Sequence, residues 1–124
     1  MLRPFLIAIF GAATLAGCAA APVTPKVTEP AEPHLTVVAK DVAFDTNGLT
    51  MTAGQPTLIY FDNLDDSPHN IKIQTGQGGG ATLFDGETIT KRAITYTVPQ
   101  IPVGAYFFLC NVHPAMHGVV TVTP

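Results

Sequence analysis

The stretch "AYFFLCNVHPAMHGVVTVT", residues 105–123, decides how this chain is read. Its ends, "AYFFLC" (105–110) and "GVVTVT" (118–123), are runs of β-branched and aromatic residues of strand length. Between them His113, Met116 and His117 all fall within seven positions of Cys110. A strand, a short loop and a returning strand can turn Cys110, His113 and Met116 toward one point. A thiolate, a neutral imidazole and a thioether together suit copper, above all copper that must be content as both Cu(I) and Cu(II). Hard cations want oxygen ligands, and a thioether is a poor fourth ligand for structural zinc.

A trigonal copper set needs a second imidazole. The best candidate is His69 in "NLDDSPHNI" (63–71), where a turn-rich loop runs into a strand. The expected set is His69, Cys110 and His113 in a plane, with Met116 as a long, weak axial ligand. Plainer readings stand beside it: Cys110 as a small buried hydrophobe, His69 as a loop residue, Met116 as packing with a backbone or water oxygen in its place. His117 reads either as an exposed loop histidine or as a neighbour of the copper, and His34 as exposed and without a role.

Outward from this motif the chain is a series of short runs. "LTVVA" (35–39), "VAF" (42–44), "LTM" (49–51), "TLIYF" (57–61), "HNIKI" (69–73) and "ITYTV" (94–98) precede the two final strands, with a turn expected at "DTNG" (45–48) and a loop at "TGQGGG" (75–80). In "ITYTV" the alternation places Ile94, Tyr96 and Val98 inward. No stretch has a helical period, so the expected class is all-β, a sandwich of seven to eight strands.

The 124 residues are 47% hydrophobic and only 12% charged, enough for one domain with one core. Six Lys plus Arg stand against nine Asp plus Glu, a net charge of −3, with no basic stripe, which argues against nucleic acid as a partner. No Ser-His-acid or paired-carboxylate pattern stands out. Of the four histidines only His34 and His117 remain after His69 and His113 are assigned, too few for a second copper centre. The chain is therefore expected not to be an enzyme and to take no small-molecule substrate.

The first residues, "MLRPFLIAIFGAATLAG" (1–17), place Arg3 before an apolar run that ends in small residues, the pattern of a secretory signal and too short for a spanning helix. "LAGC" (15–18) resembles the bacterial lipobox, which implies that Cys18 is the lipid-modified first residue of the mature chain; the alternative is an ordinary cleavable signal in which Cys18 is incidental. With Cys18 acylated, Cys110 is the one remaining thiol. A lone thiol in an exported compartment calls for inertness or a bound metal. "AAAPVTPKVTEPAEP" (19–33) is a Pro- and Ala-rich spacer. The expected organisation is a signal peptide over 1–17, a spacer over 18–33 and one domain over 34–124. The expected location is the periplasmic or cell-surface side of a membrane, held there by the lipid. Ala19 in place of the usual retention residue Asp favours an outer membrane where there is one.

Over residues 35–124 the chain resembles the cupredoxins, the small blue-copper domains. The spacing C-x-x-H-P-x-M in "CNVHPAM" (110–116) is similar to the short ligand loop of the amicyanin type, and "PHN" (68–70) to the family's first-histidine motif. The resemblance implies a Greek-key β-sandwich holding one type 1 copper ion. It implies an electron carrier whose redox partner proteins, themselves exported, dock near His113; the alternative is copper storage or delivery to another exported protein. It also implies that Asn70 ties the first-histidine loop to the cysteine loop. Phe108, two residues before Cys110 on the same strand face, is expected to pack beside the site and keep it dry.

Overall fold

A computed structural model describes Gly17, Ala19, Ala20 and residues 26–124; the signal-peptide reading and Cys18 otherwise lie outside the described residues. Among the described residues there are nine strands and no helix. They are β1 (Leu35–Lys40), β2 (Ala43–Phe44), β3 (Gly48–Thr52), β4 (Thr57–Asn63), β5 (Lys72–Gly76), β6 (Gly79–Asp85), β7 (Ala93–Val98), β8 (Gly104–Leu109) and β9 (His117–Thr123). One sheet has the order β2-β1-β4-β7 and the other β3-β9-β8-β5-β6, and the two pack face to face as a sandwich.

Period-2 patterning explains most of the strands. In β9, Gly118, Val120 and Val122 are buried while His117, Val119, Thr121 and Thr123 are exposed, and in β3 Leu49 and Met51 alone point inward. From the opposite sheet Val37, Ile59, Phe61, Tyr96 and Val98 complete the core against Ile73, Phe108 and Val120. Phe108 packs against Phe44 with ring centroids 5.4 Å apart, and Phe61 stacks on Tyr96 at 5.7 Å.

Three features depart from the sequence reading. The segment expected to be a loop over 75–80 is largely strand: only Gln77 and Gly78 turn, and Gly79 opens β6, which pairs antiparallel with β5. Gly79 and Gly80 have φ of 142° and 120°, backbone open to glycine, and the glycines expected in a loop shape an irregular hairpin. The strand expected from His69 begins only at Lys72; His69 itself makes an isolated bridge to Ile89. The two-residue turn between β1 and β2 falls at Asp41-Val42, with Ala39 opposite Phe44. Both turn residues have positive φ, 54° and 56°, the type I′ geometry that favours Asn-Gly and strains a β-branched valine.

The end of the spacer lies against the sandwich. Tyr60 falls on the outer face of β4, yet is only 8% exposed. Its hydroxyl donates to the Val27 carbonyl at 3.3 Å, and the His34 ring meets its edge with centroids 6.4 Å apart. This cover explains why "TLIYF" shows no alternation. His34, expected to be free, is half-buried: Nδ1–H donates to the Glu32 carbonyl and Nε2–H to the Glu29 carboxylate, each at 2.8 Å, and Thr36 Oγ1 donates to the same carboxylate at 3.1 Å.

The Glu32 carbonyl first, and then the Glu29 carboxylate, raise the His34 pKa above its ordinary 6.5. The hydrogen bonds from His34 and then Thr36 lower that of Glu29 below its ordinary 4.5. The His34 contribution is complete below 6.5 and is lost as pH rises through the raised value. The Glu29 contribution is complete above 4.5 and is lost as pH falls through the lowered value. Amide exchange over residues 26–34 should thus be slowest between these limits and quicken on either side, and His34→Ala should abolish the alkaline limb and weaken the acid limb, which then rests on Thr36. A second expectation concerns packing. A Cβ at Gly118 would overlap the Phe108 ring and the Asn47 carbonyl, whereas one at Gly48 meets nothing within 4 Å. Chemical denaturation should show Gly118→Ala less stable by about 1–3 kcal/mol through overpacking, with Gly48→Ala close to the parent.

Candidate metal centre

Two loops leave the same end of the sandwich. The first runs from β4 to β5 and carries His69. Asn63, at the end of β4, closes it by donating from Nδ2 to the carbonyls of Ser67 at 2.9 Å and Ile89 at 2.7 Å. His69 N and Ile89 N each donate to the other's carbonyl at 3.0 and 2.9 Å, which pins the backbone on both sides of the side chain. The second loop joins β8 to β9, where Leu109 pairs with His117. Met116 N donates to the His113 carbonyl at 2.8 Å, a β-turn with Pro114 at the position that favours proline, and Cys110 N donates to the Met116 carbonyl at 3.0 Å. The seven residues from Cys110 to Met116 form a closed loop because of these bonds.

His69, Cys110 and His113 converge, each offering one ligand atom within 4.8 Å of the others. His69 Nδ1 lies 3.7 Å from Cys110 Sγ and 3.1 Å from His113 Nδ1. His69 and Cys110 are fully buried, while the His113 ring is half-exposed. Met116 is 3% exposed, its backbone bonded to both Cys110 and His113. His117 is exposed at the start of β9 and is not part of the cluster. Phe108 is fully buried two residues before Cys110, opposite Ile73 and Gly118 in its sheet. Asn70 is fully buried; its Oδ1 accepts from Asn111 N at 2.9 Å, and its Nδ2 donates to the Gly86 carbonyl at 2.9 Å. The bond to Asn111 joins the residue after His69 to the residue after Cys110.

Asp65 is a contributor to which sequence reasoning gave no role. Its side chain turns inward, 15% exposed, and Oδ2 accepts from His69 Nε2–H at 2.9 Å. The same carboxylate accepts from the strained turn, Oδ1 from Asp41 N at 2.8 Å and Oδ2 from Val42 N at 2.9 Å. The Val42 amide above all holds its pKa below the ordinary carboxylate range, with the Asp41 amide and the His69 ring acting in the same direction against desolvation. An ionised Asp65 keeps the hydrogen of His69 on Nε2, so the lone pair of Nδ1 points at Cys110 and His113. Its neighbour Asp66 is exposed and meets only Lys91 at 3.5 Å. The available signal for Asp65 was its position four residues before His69, which does not distinguish it from Asp66 in any local pattern.

The donor set fits a first-row ion. With nitrogen at about 2.0 Å and sulfur at about 2.3 Å, a trigonal angle separates N from S by roughly 3.7 Å and N from N by roughly 3.5 Å. The N–S distance of 3.7 Å matches, and the N–N distance of 3.1 Å is somewhat tighter. A buried sulfur beside two imidazole nitrogens is a soft set of the kind copper prefers.

The model of the cupredoxin-like domain family matches residues 5–122 of the chain. The chain belongs to this family. Among solved cupredoxin structures, amicyanin from Paracoccus versutus (Thiobacillus versutus) is 30% identical, with 77% of this chain and 85% of that one covered at a TM-score of 0.59. A mutant amicyanin in its Cu(I) form is 25% identical over 77% of this chain and 87% of that one, also at 0.59. Reduced auracyanin from the photosynthetic bacterium Roseiflexus castenholzii has a TM-score of 0.63 over 77% of this chain and all of its own length, at 22% identity, a likeness of fold. No curated protein matches significantly. This cupredoxin fold has nine strands among the described residues where seven to eight were expected, the addition to the eight runs read from the sequence being β6.

Asp65→Ala should leave the His69 ring without its Nε2 acceptor. Long-range nitrogen–proton NMR spectra of the imidazoles should then show the single Nε2–H tautomer of the parent replaced by a mixture; an unchanged single tautomer would contradict the role given to the carboxylate.

Proposed function

We propose that this chain is an electron carrier in which His69, Cys110, His113 and Met116 would hold one type 1 copper ion. The observation that carries this reading is the convergence of a fully buried thiol and two imidazoles within 4.8 Å at one end of a cupredoxin sandwich. Bound there, copper supplies a one-electron couple between Cu(I) and Cu(II). The protein's part is to keep the donor atoms still. The Asp65 carboxylate and the Ile89 bridge hold His69, and the closed loop holds Cys110, His113 and Met116. A donor set that rearranges little on gaining or losing an electron keeps the transfer fast.

The half-exposed His113 is the edge through which an electron passes. Around it Val112, Pro114 and Ala115 are exposed, an apolar surface on which a redox partner protein docks in a small, transient contact. The proposal extends to the chain's setting: export, and a lipid on Cys18 that holds the domain at a membrane, the outer one where the cell has two. The chain carries no catalytic activity of its own in this reading. Delivery of copper to another protein uses the same ligands but requires the ion to leave, and the complete burial of His69 and Cys110 favours retention.

Titration of the purified protein with Cu(II) is expected to give an intense blue absorption at one equivalent, absent in Cys110→Ser and bleached reversibly by a reductant. A colourless complex overturns the proposal, and rapid loss of copper to a chelator moves the function to delivery. Met116→Leu should keep the colour and raise the reduction potential, because the thioether's donation favours the more highly charged ion.

A further inference from the structure

Asp85 ends β6 opposite Lys72 of β5, with an exposed side chain. Its Oδ1 accepts from two amides, Asn111 Nδ2 at 2.7 Å and Asn70 Nδ2 at 3.1 Å. These asparagines directly follow Cys110 and His69 in the chain and are themselves bonded, Asn111 N to Asn70 Oδ1. One carboxylate oxygen thus closes a triangle whose other corners are the two loops that carry the donor atoms. Hydrogen bonds to an ionised acceptor are stronger than neutral ones and define direction better.

The triangle needs a fixed base, and Gly86 supplies it. Gly86 N donates to the Ile71 carbonyl at 2.9 Å, and a Cβ at this position would stand 2.8 Å from the Tyr96 ring and 2.9 Å from the Ile71 carbonyl. Only glycine lets the chain pass this close. Tyr96 belongs to β7 in the opposite sheet, and its hydroxyl donates to the Glu87 carbonyl at 2.6 Å. The backbone that directly follows Asp85 is therefore fixed against Ile71 and against Tyr96 of the opposite sheet.

We infer that Asp85 is a positioning residue of the metal centre: its carboxylate gathers Asn70 and Asn111 and so sets how far apart the loops of His69 and Cys110 stand. The inference rests on the reading that these loops hold the copper ligands. The Asn70–Asn111 bond alone holds the Asn111 backbone but leaves the Asn111 side chain free to turn away and the Asn70 Nδ2 held at the Gly86 carbonyl alone. Asp85 removes that freedom.

The test compares the full-length parent with Asp85→Ala and Asp85→Asn. In the protein without added copper, the exchange rate of the Asn111 amide is measured by NMR as a ratio to the β8 amides, so that a general loss of stability cancels. The ratio should rise about tenfold in Asp85→Ala, the effect of losing a charge-assisted bond. In Asp85→Asn, which keeps the oxygen acceptor, it should stay within about twofold of the parent. With copper added, the sulfur charge-transfer band should move in Asp85→Ala and return to the parent position in Asp85→Asn. An unchanged ratio or an unmoved band in Asp85→Ala overturns the inference. Because the exchange ratio is read before copper is added, its failure is separate from that of the copper reading, which shows as a parent without blue colour.

Discussion

The candidate metal centre depends on the antiparallel pairing of β5 with β8. Lys72 lies opposite Leu109 and Ile73 opposite Phe108, so the chain entering β5 and the chain leaving β8 emerge at the same end of the sheet. His69 is three residues before Lys72 and Cys110 is the residue after Leu109. That register brings together two side chains separated by 41 positions, to 3.7 Å. It is held by burial, since Ile73 and Phe108 are both fully enclosed and a slip of one residue would turn them outward.

Around this register the loops are tied from two directions. On one side Asp65 spends its acceptors on His69 and on the two amides of the β1–β2 turn, where Val42 adopts a conformation that a β-branched residue disfavours. Strain of this kind persists where surrounding bonds over-determine it, and here the bonds are those that orient a donor atom. On the other side Asn70, Asn111 and Asp85 join the loops to the end of β6. Both arrangements use a carboxylate to gather amide donors.

Much of the fold was legible because it is local. The loop 110–116 lies between adjacent, mutually paired strands, so the spacing of Cys110, His113 and Met116 translates almost directly into proximity. Alternation located β7 for the same reason: it buries one face. β6 was not legible, since "GGATLFD" opens with glycines that weaken strand propensity, and its pairing with β5 supplies what local preference lacks. Nor was the burial of Tyr60, whose cover comes from Val27 and His34, more than twenty residues away.

By itself the sequence determined the class of fold and offered a soft donor set, because strand periodicity and ligand chemistry are properties of residue type and short spacing. Only the tertiary structure decided which acid turns inward. Asp65 and Asp66 are neighbours of the same chemistry, yet one meets His69 and the β1–β2 turn while the other meets solvent and Lys91. It likewise decided that Asp85 reaches both ligand loops, and that the end of the spacer covers Tyr60. These contacts join segments far apart in the chain, and their partners are set by how the two sheets pack, which no local pattern records.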